Sequence, residues 1–233
     1  MNILLIGEDN CLDFFKSNEN FQFTFLPYFD TLDLPDGDYD VLIDLTVSDN
    51  AVIANYTLDL YKEHFTKLNL IICNALTKTA TKYSSVLNSK CNVFGVSFIP
   101  SIFKNTESLE ISSALQNNIA IIDVETDVIS KIFDKKINLV EDRVGLVSIR
   151  ILCMIINESI FALQDGITSA EDIDIAMKYG TNYPQGPVKW LDEIGADVVV
   201  EVLDSLFDEY KEERYRASIL LKQYARADKL FLK

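Results

Sequence analysis

The chain has 233 residues, 48% hydrophobic and 24% charged, which is enough apolar material for one large or two modest cores. Its 36 acids against 21 bases leave a net charge of −15, so long-range repulsion opposes association with nucleic acid or anionic lipid. The longest apolar runs, 68–73 and 151–156, fall well short of the roughly 20 residues that a membrane span needs. The start lacks the basic segment of a secretory signal, so a cytoplasmic protein with no membrane partner is expected.

In chain order, short apolar runs recur at 2–6, 21–26, 41–45, 68–73 and 93–98. Such runs fit strands of a parallel sheet that are covered on both faces. Between them, residues 50–67 predict a helix, because Ala51, Ala54, Leu58 and Tyr61 recur at three- and four-residue spacing. An extended pair is expected at 109–112 and 119–124, then a helix at 127–134 and a last strand at 137–140. Alternating strand and helix implies an α/β, doubly wound, Rossmann-like sheet domain over residues 1–141.

From 142 to 233 the period becomes helical. A long apolar helix is expected at 144–164 with Gly166 as its stop. Ser169, followed by Glu171 and Asp172, marks the start of the next, since acids suit the positive end of a helix. Two or three more helices follow Pro187, among them 196–212, giving an all-α second domain. Cys11, Cys73, Cys91 and Cys153 show no metal-ligand spacing and fit reduced thiols, so no metal site is expected.

Three segments of this second part stand in order: Arg150-Ile-Leu-Cys-Met-Ile-Ile-Asn157-Glu158, then Asp165-Gly166-Ile-Thr-Ser-Ala-Glu171-Asp172-Ile-Asp174, then Asn182-Tyr-Pro184-Gln-Gly186-Pro187. Together they resemble the helical domain of the 3-hydroxyacyl-CoA dehydrogenases, in particular the short 3-hydroxybutyryl-CoA type. The resemblance implies a Rossmann-like domain before it, NAD as cofactor, and a homodimer built through the helical domain. Ile151, Ile155, Phe161, Leu163, Ile175, Val199, Leu203 and Leu206 exceed what one face of each helix needs, as a large two-fold interface would require.

The family's site residues carry over poorly onto the first domain. Where a dinucleotide site needs GxGxxG, this chain has Gly7-Glu8-Asp9-Asn10-Cys11-Leu12, which retains only Gly7 as a weak cofactor-binding candidate. An acid for the ribose is expected about 20 residues on, and Leu26-Pro27-Tyr28 stands there. The acidic loop 30–38 has no room for the helical excursion that members of the family use toward coenzyme A.

The family's catalytic histidine lies in HFFNP and is polarised by a glutamate in a later strand. Gly95-Val-Ser97-Phe98-Ile99-Pro100-Ser101 corresponds to that motif, so Ser97 takes the histidine position and Glu110 the glutamate position. A serine hydroxyl is no general base near neutral pH. The substrate-binding SNTSS-like turn corresponds to Cys73-Asn74-Ala75-Leu76-Thr77, which leaves Asn74 and Thr77 as weak substrate-binding candidates. Ile149 stands where the GFxxNR segment has its asparagine. The single histidine, His64, falls late in the helix expected at 50–67 and is read as a surface residue.

These losses together predict a diverged family member with lost or much reduced catalysis, a pseudoenzyme that binds no cofactor and acts as a binding or assembly partner. The alternative is an active NAD-dependent 3-hydroxyacyl-CoA dehydrogenase of fatty-acid metabolism, using Glu110 with a hydroxyl such as Ser97 or Thr77. A third expectation is an acyl-CoA or other small ligand held in the interdomain cleft without chemistry.

Overall fold

The computed structural model describes residues 1–8, 11, 13–15, 18–27, 37–47, 68–87 and 91–232. The chain divides into two compact units, 1–146 and 147–233. The helix expected at 50–67, His64, Asp9, Asn10, Leu12 and most of the acidic loop at 30–38 lie outside the described residues.

The first unit is a seven-stranded sheet in the order β2-β1-β3-β4-β5-β6-β7. Its strands are β1 (Asn2–Gly7), β2 (Gln22–Pro27), β3 (Val41–Asp44), β4 (Leu70–Asn74), β5 (Asn92–Val96), β6 (Ser108–Ser113) and β7 (Lys136–Val140). The first five run parallel, β6 is antiparallel to β5, and β7 is parallel to β6. Alternation along the strands divides the core. Ile3, Leu5, Val41, Ile43, Ile72, Phe94 and Val96 pack on one face, and Leu4, Ile6, Leu42, Ile71, Cys73 and Val93 on the other. Both faces are covered, so the central strands read as continuous apolar runs. The second face carries α1 (Ala80–Leu87) through Ala80, Tyr83 and Leu87. The first carries α3 (Ile122–Phe133) and a cluster of rings, with Phe98 lying 4.8 Å from Phe103 and Phe15 lying 5.3 Å from Phe133. A single turn, α2 (Pro100–Phe103), leaves β5.

Two expectations are corrected. Residues 119–124 are not extended: a 3-10 turn, Ile119–Ile121, leads directly into α3. The Asn118 side chain accepts from the Ala120 amide, and Asp123 and Glu125 occupy the first turn of α3, so capping and the helix dipole outweigh local apolar alternation. Ile119 and Val124, the basis of that alternation, are 84% and 65% exposed. The helix expected from 144 begins instead at Ser148. Gly145 and Leu146 both take positive φ, 68° and 46°, in a turn whose Gly145 amide donates to Ala75 O at 2.7 Å.

The second unit contains α4 (Ser148–Gln164), α5 (Ala170–Gly180), α6 (Pro187–Ile194), α7 (Ala196–Tyr210) and α8 (Ile219–Ala227). Gly166 closes α4 at φ 68°, and the Ser169 hydroxyl accepts from the Asp172 amide to start α5. Cys153, Ile156 and Ile160 of α4 are fully buried, as are Val188 and Leu191 of α6 and Val199, Val202, Leu203 and Leu206 of α7. Asn157 ties this core to the approach of α8, donating to Arg216 O and accepting from the Ser218 amide, each at 2.9 Å.

Candidate functional site

Between β1 and β3 the strand order reverses, and in open α/β sheets the crevice outside the carboxyl ends at such a point is where ligands bind. Gly7 ends β1 there, in register with Pro27 at the end of β2. A Cβ at residue 7 would lie 3.2 Å from Cys11 Sγ and 3.4 Å from Leu45 Cβ, so the space beside this glycine is filled by the chain's own side chains. The turn begins at once, the Cys11 amide donating to Glu8 O at 2.9 Å. Burial pushes the Cys11 thiol up to about 11, and the Glu8 charge adds to the rise.

Asn74 and Thr77 sit on the same edge and are spent on backbone. Asn74 is 1% exposed; its amide nitrogen donates to Leu45 O (3.2 Å) and Phe98 O (2.9 Å), and its oxygen accepts from the Phe98 amide (3.2 Å). Thr77 donates to Val47 O at 3.0 Å. Asn74 therefore joins the exits of β3 and β5 across the end of β4.

Ser97 is half-buried, one residue beyond the paired end of β5. The β5–β6 register runs Phe94 to Ser113, Gly95 to Ser112 and Val96 to Ile111, and ends there; one further step would reach Ser97 and Glu110. Leu109 and Ile111 face the core of the α3 side, so the half-buried Glu110 shares the other face with Ser112.

Sequence reasoning missed a buried polar network on that face. Asp44, 6% exposed, accepts from the Thr46 amide (3.0 Å), the Thr46 hydroxyl (2.7 Å) and the Tyr83 hydroxyl (2.8 Å). Asp142 accepts from the Ala80 amide (2.9 Å), the Thr81 amide (2.7 Å) and the Ser112 hydroxyl (2.7 Å). Lys78, also 6% exposed, holds its ammonium 5.2 Å above the Tyr83 ring. Burial raises the Cys73 thiol well above the ordinary range; Lys78 works against that rise, and Asp44 and Asp142 add to it.

The network has a chemical consequence. A helix N-terminus offers unpaired amides to an anion, but α1 begins with its donors engaged. Asp142 takes those of Ala80 and Thr81, and Thr79 Oγ1 accepts from the Lys82 amide at 3.1 Å. At the first strand the described residues do not fit a dinucleotide either. Pro27 offers no side-chain acceptor for a ribose, and the exposed acid Glu8 directly follows Gly7 at the end of β1. Among the described residues no cluster of three or more His, Cys, Asp or Glu side chains could hold a metal ion, and no helix is long and apolar enough to cross a membrane.

Residues 145–233 match the family model of the 3-hydroxyacyl-CoA dehydrogenase C-terminal domain. The 3-hydroxybutyryl-CoA dehydrogenase of Clostridioides difficile is 31% identical over 196 residues, covering 83% of this chain and 68% of the relative. The 3-hydroxyadipyl-CoA dehydrogenase of Escherichia coli (strain K12) is 43% identical over 91 residues, which is 39% of this chain and 19% of that longer protein. The chain thus spans a small part of one of these relatives and about two thirds of the other. Among solved structures, (S)-3-hydroxybutyryl-CoA dehydrogenase PaaH1 from Ralstonia eutropha has the same fold, with a TM-score of 0.77 at 20% identity over 99% of this chain and 95% of that one.

Proposed function

The chain belongs to the 3-hydroxyacyl-CoA dehydrogenase family, and from that premise we propose that it has given up hydride transfer and acts as a binding or assembly partner. The observation that supports this reading is the β5–β6 register, which ends at Val96 and Ile111 and whose continuation by one step would bring Ser97 opposite Glu110. On the motif correspondence Ser97 takes the family's histidine position, and a serine hydroxyl is no general base near neutral pH. Loss of a positioned general base alone forfeits roughly 10²–10⁴ in rate. The pairing of Gly7 with Pro27 and the commitment of Asn74 to backbone support the same reading.

The partner surface on this reading lies on the helical unit, which we take to form a homodimer. A groove of about 550 Å³ between α4 and α5 is lined by Ile151, Met154, Ile155, Ala162, Ile173 and Met177, and Ile151 is 49% exposed. Contiguous exposed apolar surface of this kind marks an interaction site.

The test is a turnover assay with acetoacetyl-CoA and NADH. The expected result is no oxidation of NADH above the protein-free rate. Turnover that is lost in Glu110→Gln would overturn the proposal in favour of an active dehydrogenase with a non-standard site.

A further inference from the structure

On the α3 face of the sheet, opposite the face of Asp44 and Asp142, a polar hollow of about 580 Å³ lies between Phe14, Asn18, Glu19 and Asn20, the end of α2 and the end of α3. Its floor is Phe14 and Phe103, whose rings meet edge to face 5.6 Å apart. One wall is the carboxyl end of α3, ordinarily a negative pole because the last carbonyls lack partners. Here those oxygens are engaged. The Asn18 amide donates to Lys131 O (2.8 Å) and Ile132 O (3.1 Å), and Ser130 O accepts from the Asp134 and Lys135 backbone amides.

With that pole covered, three lysines line the hollow among the described residues: Lys104, Lys131 and Lys135. Lys135 is fixed: its ammonium donates to Thr106 O and lies 5.0 Å over the Phe103 ring. Lys104 and Lys131 line the same space and form no ion pair among the described residues, although Glu19 and Asp134 stand on the rim. In a chain of net charge −15, cations gathered beside acids without pairing are free to meet an anion. Two ammonium groups with no ion pair among the described residues match a dianion. The volume falls within the roughly 300–1,000 Å³ of small-molecule sites and exceeds what a bare oxyanion fills.

We propose that this hollow binds a phosphate monoester, with the phosphoryl oxygens at Lys104 and Lys131 and the organic body against Phe14 and Phe103. Lys135, held by Thr106, keeps the ring floor in place and adds positive potential.

The probes are phenyl phosphate and inorganic phosphate, titrated calorimetrically into the whole chain and into Lys104→Gln/Lys131→Gln. Both lysines are exposed, so the double variant should fold. Lys178→Gln/Lys229→Gln, in the helical unit, carries the same change of charge as a control. The expected result is saturable binding of phenyl phosphate, weaker binding of inorganic phosphate, and a loss of about tenfold or more confined to the Lys104/Lys131 variant. Absence of saturation below about 10 mM phenyl phosphate, or equal affinity in the variant, would overturn the site. Inorganic phosphate binding as tightly as phenyl phosphate would overturn the assignment to a monoester.

Discussion

The carboxylate of Asp174 occupies the space that a side chain at Gly186 would need. A Cβ at residue 186 would lie 2.0 Å from Asp174 Cγ, while that carboxylate accepts the Val188 amide at 2.8 Å and the Lys189 amide at 3.0 Å. Gly186 has φ −79°, so its need for glycine is steric rather than conformational. Loss of a helix-start cap costs about 1 kcal/mol, and Asp174→Ala should destabilise the chain by that order in urea unfolding. Gly186→Ala should cost more, because it displaces the cap and crowds it. The double variant should cost less than the two single costs combined, since removing Asp174 opens the space.

Asn74 ties the exits of β3 and β5 together through three hydrogen bonds to backbone. Asn74→Ala strands Leu45 O, Phe98 O and the Phe98 amide in a buried edge, and leaving such groups unpaired costs about 1–3 kcal/mol. The expected outcome is a lowered urea midpoint for the sheet unit. An unchanged midpoint would contradict this structural role.

Glu125 gives stability a signed dependence on pH. Burial raises its carboxyl above the ordinary glutamate value, opposed by the Asn92 amide, which donates to it at 2.6 Å. A raised native pKa means that the folded chain holds the proton more tightly than the unfolded one. The contribution is therefore complete below the unfolded pKa and is lost as pH rises through the folded one. Relative to Glu125→Gln, the chain should lose stability as pH climbs out of the ordinary glutamate range. Parallel stability curves for the two proteins would contradict this.

The groove between α4 and α5 predicts the oligomeric state. Ile151→Ser changes an exposed residue of the groove lining and leaves the buried core of Cys153, Ile156 and Ile160 intact. Sedimentation velocity should show the parent as a dimer and the variant as a folded monomer. A parent that sediments as a monomer at micromolar concentration would remove the proposed interface.

What could be read ahead of the structure follows the range of the interactions concerned. The strands β1, β3, β4 and β5 were visible because burial on both faces writes a continuous apolar run into the sequence. Segment 119–124 misled for the opposite reason: its alternating Ile119, Ile121 and Val124 face solvent, and the deciding cap comes from Asn118. The buried acids were invisible because their donors are remote. Tyr83 is 39 residues from Asp44 and Ser112 is 30 from Asp142, so no local spacing records them. The correspondence of Ser97 with the family's histidine was legible from the motif alone, whereas the β5–β6 ladder that ends at Val96 and Ile111 and the β1–β2 register that sets Pro27 beside Gly7 appear only in the structure.

The central claim is that the sheet unit no longer serves a dinucleotide, and the most direct measurement is a titration with NADH followed by the fluorescence of the reduced nicotinamide. It requires no choice of acyl substrate. The predicted result is no saturable change up to about 1 mM NADH. Saturable binding in the micromolar range would contradict the reading of Gly7, Glu8 and Pro27 and make the chain a dehydrogenase candidate again.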